Sequence, residues 1–329
     1  MRTLVVGPSW IGDAVLSHPL IARLKEAHPR ATVDVLAPPW ALAVYRRMPG
    51  VDGALALPFA HGHFKLGARR AFARSLPAYD HAIVLPNSWK SALLPWHAGI
   101  ARRTGYRGEM RYGLLNDLRV LDEEALPRLV DRYAALAQPS GEALRRPVPE
   151  PRLAVDESAR LATLAKLGLA ADRPAAAFAP GAEYGPAKRW PARHFAALAR
   201  TLAARGWQVW LLGSAKDAQA TRAIEALAPG ACVDLAGRTS LDEAIDLLAS
   251  AARVVTNDSG LMHVAAALDR PTAAIFGSSS PAFTPPLSSR ARVISLHLDC
   301  SPCFQRVCPL GHTDCLEKLD PARVLEALE

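Results

Sequence analysis

No uninterrupted apolar run in the 329 residues approaches the ~18 needed to span a bilayer, although half of the residues are hydrophobic. Arg2 and a short apolar patch open the chain, but Asp13 and early glycine and proline breaks spoil a signal peptide. A soluble, cytoplasmic protein is expected. Neither GxGxxG nor GxxxxGK[ST] occurs, which counts against dinucleotide redox chemistry and P-loop hydrolysis. Aromatic residues make up only 6% and no RNA- or DNA-binding motif is present, so no nucleic-acid partner is expected. Cysteine is sparse until the tail, where Cys300, Cys303, Cys308 and Cys315 form C-x2-C-x4-C-x6-C with His312 inside. In a cytosolic protein such a cluster suggests zinc or iron more than disulfides. The spacing lacks the paired CxxC…CxxC form of structural zinc sites, and packed free thiols are the alternative. No metal ligand is assigned, and no cofactor is expected.

What is present is uneven charge. The net charge is +8; residues 1–150 carry 20 Lys/Arg against 13 Asp/Glu, or +7, which leaves +1 for the remainder. Residues 60–111 alone hold nine basic and two acidic side chains. A basic first half points to an anionic partner, with a merely solvated basic face as the alternative.

Short apolar runs alternate with helical spacings along the chain. Strands are expected at 3–7, 32–37, 53–58 and 81–85, with helices after 13, over 40–48, 65–76, 89–96 and 121–136. In helix 65–76, Leu66, Phe72 and Leu76 are expected to face inward, with Arg69, Arg70 and Arg74 outward. Residues 102–111 read as a basic loop and 139–151, rich in proline and charge, as a linker. Beyond it come strands at 175–179, 209–212, 232–235, 254–257, 272–276 and 293–296. Helices lie between them, and a last one starts at Asp320-Pro321. Such alternation implies parallel sheets covered on both faces. The class is therefore α/β, with two Rossmann-like doubly wound domains, 1–150 and 151–318, facing a central cleft.

In open parallel sheets, ligands bind beyond the carboxyl ends of the strands. Asp13, Asn87, Lys188, Gly213, Ser259 and Gly277 all lie there. Asn257-Asp258-Ser259-Gly260-Leu261 is a strand, a tight turn and a helix N-terminus in sequence, a natural seat for phosphate. Ser259 can cap that helix, and Gly260 lets a ligand approach bare backbone. Lys188 and Arg189 sit in a Gly- and Pro-rich loop of the same half, where a cation can reach a departing diphosphate. Tyr184 and Trp190 either flank it or belong to the core. The Gly213-Ser214 and Gly277-Ser278-Ser279 turns suit close approach to ribose or phosphate. Asp13, in the first turn of its helix, is a candidate general base, expected to keep the low pKa of a helix-terminal carboxylate.

Gly12-Asp13-Ala14-Val15, Gly181…Lys188-Arg189-Trp190-Pro191, Asn257-Asp258-Ser259-Gly260-Leu261-Met262-His263 and Phe276-Gly277 follow one another in order over nearly the whole chain. Together they resemble the glycosyltransferase family 9 heptosyltransferases of lipopolysaccharide core synthesis. The resemblance implies a GT-B fold with the acceptor in the first domain and ADP-heptose in the second. It also implies that helix 319–329 crosses back to the first domain. The implied reaction is an inverting, metal-independent transfer of L-glycero-D-manno-heptose to heptosyl-Kdo2-lipid A. On this reading Asp13 is the base, and Lys188 contacts the diphosphate. Asp258, Ser259, Gly260, Leu261 and His263 join Arg189, Gly213 and Gly277 around the donor. The basic stretch then has a candidate partner: Arg69, Arg70, Asn87, Lys90, Arg103 and Arg107, with Arg74, would meet acidic groups of the acceptor. The same residues would touch the inner leaflet of the cytoplasmic membrane peripherally. A monomer is expected. The alternatives are a family member with another acceptor and, from a different class, a non-catalytic nucleotide or lipopolysaccharide-core binder.

Overall fold

The apolar runs of the first half pair in parallel, and nearly every residue in the middle strands is buried because helices cover both faces. The computed structural model describes residues 1–59, 65–170 and 172–329, and the chain divides into two units, Met1–Pro151 and Arg152–Glu329. Residues 60–64 of the basic stretch lie outside the described residues.

The first unit runs β1 (Arg2–Val6), α1 (Ile11–Leu16), α2 (His18–Ala27), β2 (Thr32–Ala37), α3 (Leu42–Arg46), β3 (Gly53–Ala56), α4 (Leu66–Ser75), β4 (His81–Val84), α5 (Trp89–His97), β5 (Arg102–Tyr106), β6 (Asp117–Arg119) and α6 (Leu129–Ala135). The sheet order is β3-β2-β1-β4-β5-β6. Val5 sits opposite Val35 on one side and Ile83 on the other. The order reverses between β1 and β4, so the turns after these two strands flank the crevice where such sheets take ligands.

The second unit runs α7 (Glu157–Leu167), β7 (Ala175–Ala179), α8 (Ala192–Ala204), β8 (Gln208–Leu211), α9 (Ala218–Leu227), β9 (Val233–Asp234), α10 (Leu241–Ser250), β10 (Arg253–Asn257), α11 (Gly260–Ala267), β11 (Thr272–Ile275), β12 (Ala291–Ile294), α12 (Asp314–Glu317) and α13 (Pro321–Glu326). Its order, β12-β11-β10-β7-β8-β9, repeats that of the first unit. Here the reversal falls between β7 and β10, with Val255 opposite Phe178. The turns after β7 and β10 carry Lys188 and Asp258, the residues singled out from the sequence. Phe178, Trp190, Phe195 and Leu198 form the core on one face, closed by Leu316, Leu319, Val324 and Leu328 of the tail. The terminal helix α13, with Asp320 as its N-cap, packs on α8 inside this unit.

Several expectations are corrected. Residues 102–106 are not loop but strand β5, paired with β4 on one side and β6 on the other; only its start, at Arg102, is exposed, while Thr104, Gly105 and Tyr106 are buried. The helix expected over 121–136 forms only as α6; Pro127 and the acidic run before it stay irregular. Helix α7 and strand β6 were not anticipated. The last strand is shifted by two residues, to Ala291–Ile294. In α4, Arg69 points inward, with its guanidinium 4.6 Å from the centre of the Phe59 ring, while Leu66 is exposed.

Candidate active site

At the first unit's crevice, Asp13 occupies the first turn of α1. Helices α3 and α6 both pack on α1 and bring the buried Tyr45 and Tyr133 to its neighbourhood. Gly7 is needed behind it, since a Cβ there would lie 2.5 Å from the Tyr45 hydroxyl. No cation pairs with Asp13 among the described residues, and burial pushes its carboxyl up to about 6. The low pKa expected from the helix terminus is therefore corrected: desolvation outweighs the dipole of a six-residue helix. A half-buried carboxylate that ionises near neutrality is suited to take a proton from a hydroxyl.

Beyond β4, the Pro86-Asn87 turn is fixed by a residue the sequence did not single out. Arg111, fully buried, donates to Pro86 O (2.5 Å), Tyr106 O and Asn87 Oδ1 (3.3 Å). Its burial lowers its pKa to about 10. The proposed anion contacts sort into two groups. Arg69 is buried, and Arg103 donates to Leu114 O (2.6 Å) and Ile100 O (2.5 Å), so both are engaged inside the fold. Arg70, Arg74 and Arg107 are exposed, as is Asn87, and Lys90 is half-buried.

At the second unit's crevice, the loop after β7 is held to the end of β10 by Asn257. Its amide donates to Pro180 O (2.7 Å) and accepts from Trp190 N (3.0 Å), all within the interior. This staple also escaped the sequence reading, because a buried asparagine leaves no periodic signal. Trp190 is core, with its indole donating to Leu319 O, whereas Tyr184 flanks Lys188, whose ammonium lies 4.9 Å from the ring centre. Lys188 Nζ is 2.5 Å from Asp258 Oδ2, and Ser279 Oγ donates to the same oxygen (2.5 Å). Asp258 thus orients the lysine at the loop mouth. Arg189 is exposed and turned back to Ala182 O (3.4 Å).

Ser259 occupies the N-cap of α11 but does not cap it; its hydroxyl pairs with Thr256 Oγ1 (3.2 Å). The first amides of α11 therefore lack a side-chain partner at the cap, and Ser259, Gly260 and Leu261 are half-buried. His263 is buried behind them, and desolvation lowers it to about 4, so it is neutral at pH 7. Gly213 leads into the Ser214–Asp217 capping box, and a Cβ on the neighbouring Gly181 would meet the Asp217 carboxylate at 2.3 Å. A Cβ on Gly277 would meet Leu316 of α12 at 2.7 Å, so that glycine serves packing.

All five cysteines are free thiols. Cys300, Cys303, Cys308 and Cys315 line one small cavity of about 20 Å³, yet no group of three or more His, Cys, Asp or Glu among the described residues is arranged to hold a metal ion.

A second-unit mouth with a lysine and helix amides left without a side-chain cap suits a diphosphate. A first-unit mouth with a poised carboxylate suits a hydroxyl. Comparison with known proteins places the chain among transferases. Residues 69–314 match the model of "Glycosyltransferase family 9 (heptosyltransferase)". The chain is 49% identical over 339 aligned positions to lipopolysaccharide heptosyltransferase 2 of Escherichia coli, covering 100% of this chain and 97% of that protein. It is 47% identical to lipooligosaccharide heptosyltransferase 2 of Haemophilus influenzae, over 90% of this chain and 89% of the other. A solved structure of E. coli ADP-heptose lps heptosyltransferase II superposes with a TM-score of 0.90 at 48% identity, over 100% of this chain and 97% of that one.

Proposed function

The chain belongs to glycosyltransferase family 9, and from that premise we propose that it is the second heptosyltransferase of lipopolysaccharide inner-core synthesis. It moves L-glycero-D-manno-heptose from ADP-heptose to the first heptose of heptosyl-Kdo2-lipid A. The observation that carries this reading is the similarity to heptosyltransferase 2 proteins at nearly half identity over the full chain. The first unit takes the acceptor and the second the nucleotide sugar. Asp13 removes the proton from the acceptor hydroxyl as that oxygen attacks the anomeric carbon from the face opposite ADP. Carbon–oxygen cleavage puts negative charge on the β-phosphate, and Lys188 with the first amides of α11 stabilises it. Neutral His263 closes the floor of the donor seat without adding charge.

Among the described residues no helix is long and apolar enough to cross a membrane. A lipid-anchored acceptor then has to be met at its own surface, for which the exposed Arg70, Arg74 and Arg107 are placed. The deciding experiment compares ADP release from ADP-heptose with heptosyl-Kdo2-lipid A and with Kdo2-lipid A as acceptors. Turnover with the first alone is expected. A preference for Kdo2-lipid A would assign the enzyme to addition of the first heptose, and no turnover with either would leave a binding protein.

A further inference from the structure

The cysteine-bearing tail is sewn onto both loops of the nucleotide mouth. Ser301 Oγ donates to Gly277 O (2.5 Å), and Phe304 N donates to Ser278 O (2.7 Å). On the other side, Ala187 N donates to Arg306 O (3.1 Å), and a Cβ on Gly185 would lie 2.5 Å from that carbonyl oxygen. Tyr184 completes the seam, its hydroxyl donating to Phe304 O (2.6 Å).

This seam puts a second cation on the ring that Lys188 already uses. The Arg306 guanidinium carbon is 5.1 Å from the Tyr184 ring centre and Lys188 Nζ is 4.9 Å from it, so the two charges lie within about 10 Å of each other. They are not equivalent. Lys188 is neutralised by Asp258, and the neighbouring acid Glu183 is taken by Lys216 (2.6 Å). Arg306 makes no ion pair with a described residue and is exposed. A cation held by cation–π contact and a backbone anchor, without an acidic partner, is preorganised for an anion from solution.

We propose that Arg306 is a donor-binding residue, a second cation that the tail delivers to the diphosphate beside Lys188, with Tyr184 as the positioning residue that seats both. The proposal rests on the nucleotide-sugar reading of this mouth. It also gives residues 300–308 a task, as the strap that carries Arg306 there. Arg306's fork suits two non-bridging oxygens at once, which lysine as a point charge cannot match.

Calorimetric titration of the full-length protein with ADP and with AMP tests it. In Arg306→Ala, ADP affinity should fall about 10- to 100-fold, the scale of one lost charge-assisted contact. The ratio of ADP to AMP affinity should fall with it, and Arg306→Lys should recover part of the loss. An unchanged ADP affinity overturns the assignment. An equal loss for ADP and AMP also overturns it, since that marks a loosened strap and not a lost phosphate contact. If the wild-type protein binds neither nucleotide, the underlying reading of the mouth fails first.

Discussion

Asp13 carries two opposing demands. Its burial is unfavourable to the charged form, yet the base proposed at this position must be charged. With an ordinary value of 3.8 and a folded value of about 6, the native state holds the proton more tightly between those limits. Stability contributed at this site therefore falls as pH rises from about 4 to about 6 and stays low above that. Asp13→Asn should remove the penalty. Denaturation at pH 8 should show the variant more stable than wild type, by at most about 3 kcal/mol, with the gain gone near pH 4. Turnover should move the other way, falling about 10²- to 10⁴-fold while ADP binding is kept. Wild-type kcat should rise through about pH 6 to a plateau. Near-normal turnover of the variant would remove Asp13 as the base.

At the scale of elements, the loop between β7 and α8 is held to the end of β10 by one buried amide, besides its seam with the tail. Asn257→Ala leaves Pro180 O and Trp190 N without partners in the interior. The expected loss is about 2–4 kcal/mol, from two orphaned buried groups, read as a lower denaturation midpoint together with weaker ADP binding. A variant that loses neither would show that the loop is held elsewhere. This element also shows where sequence reading succeeds and stops. Strands such as Ala175–Ala179 and Arg253–Asn257 were legible because buried parallel strands are apolar without interruption, and the loops at their ends follow from topology. Strand β5 was not, because Arg102 and Arg103 at its start made an interior strand look like a basic loop. Arg69 misled for the opposite reason: a long side chain can carry its charge over an aromatic ring and still be covered. In the candidate site, the places of Asp13, Lys188 and Asp258 just beyond strand ends were readable from the sequence. Asn257, Arg111 and Arg306 act through contacts distant in sequence, which no local pattern records. The raised pKa of Asp13 likewise comes from burial, a product of packing that no local pattern records.

At the scale of the whole molecule, the asymmetry of charge survives once buried arginines are discounted. Arg69, Arg103 and Arg111 are engaged inside the fold, but Arg70, Arg74 and Arg107 are exposed and Lys90 is half-buried. At about 1 kcal/mol for each basic side chain near an anionic surface, this is enough for weak peripheral adhesion and not for anchoring. Vesicles containing phosphatidylglycerol should retain the protein at low salt and release it near 1 M, where screening reaches ~3 Å. Phosphatidylcholine vesicles should not retain it. If the anionic vesicles fail as well, the acceptor alone accounts for the basic residues. The identical strand order of the two sheets has a bearing on descent as well as on binding. Each half reverses its order once and so carries its own ligand mouth, built by its own loops. On the proposed division of acceptor and donor between the units, changes in the loops after β1 and β4 alter what is glycosylated without disturbing the recognition of the nucleotide. A lineage with this architecture can diversify its acceptors while inheriting one donor, each half answering to a different selective pressure.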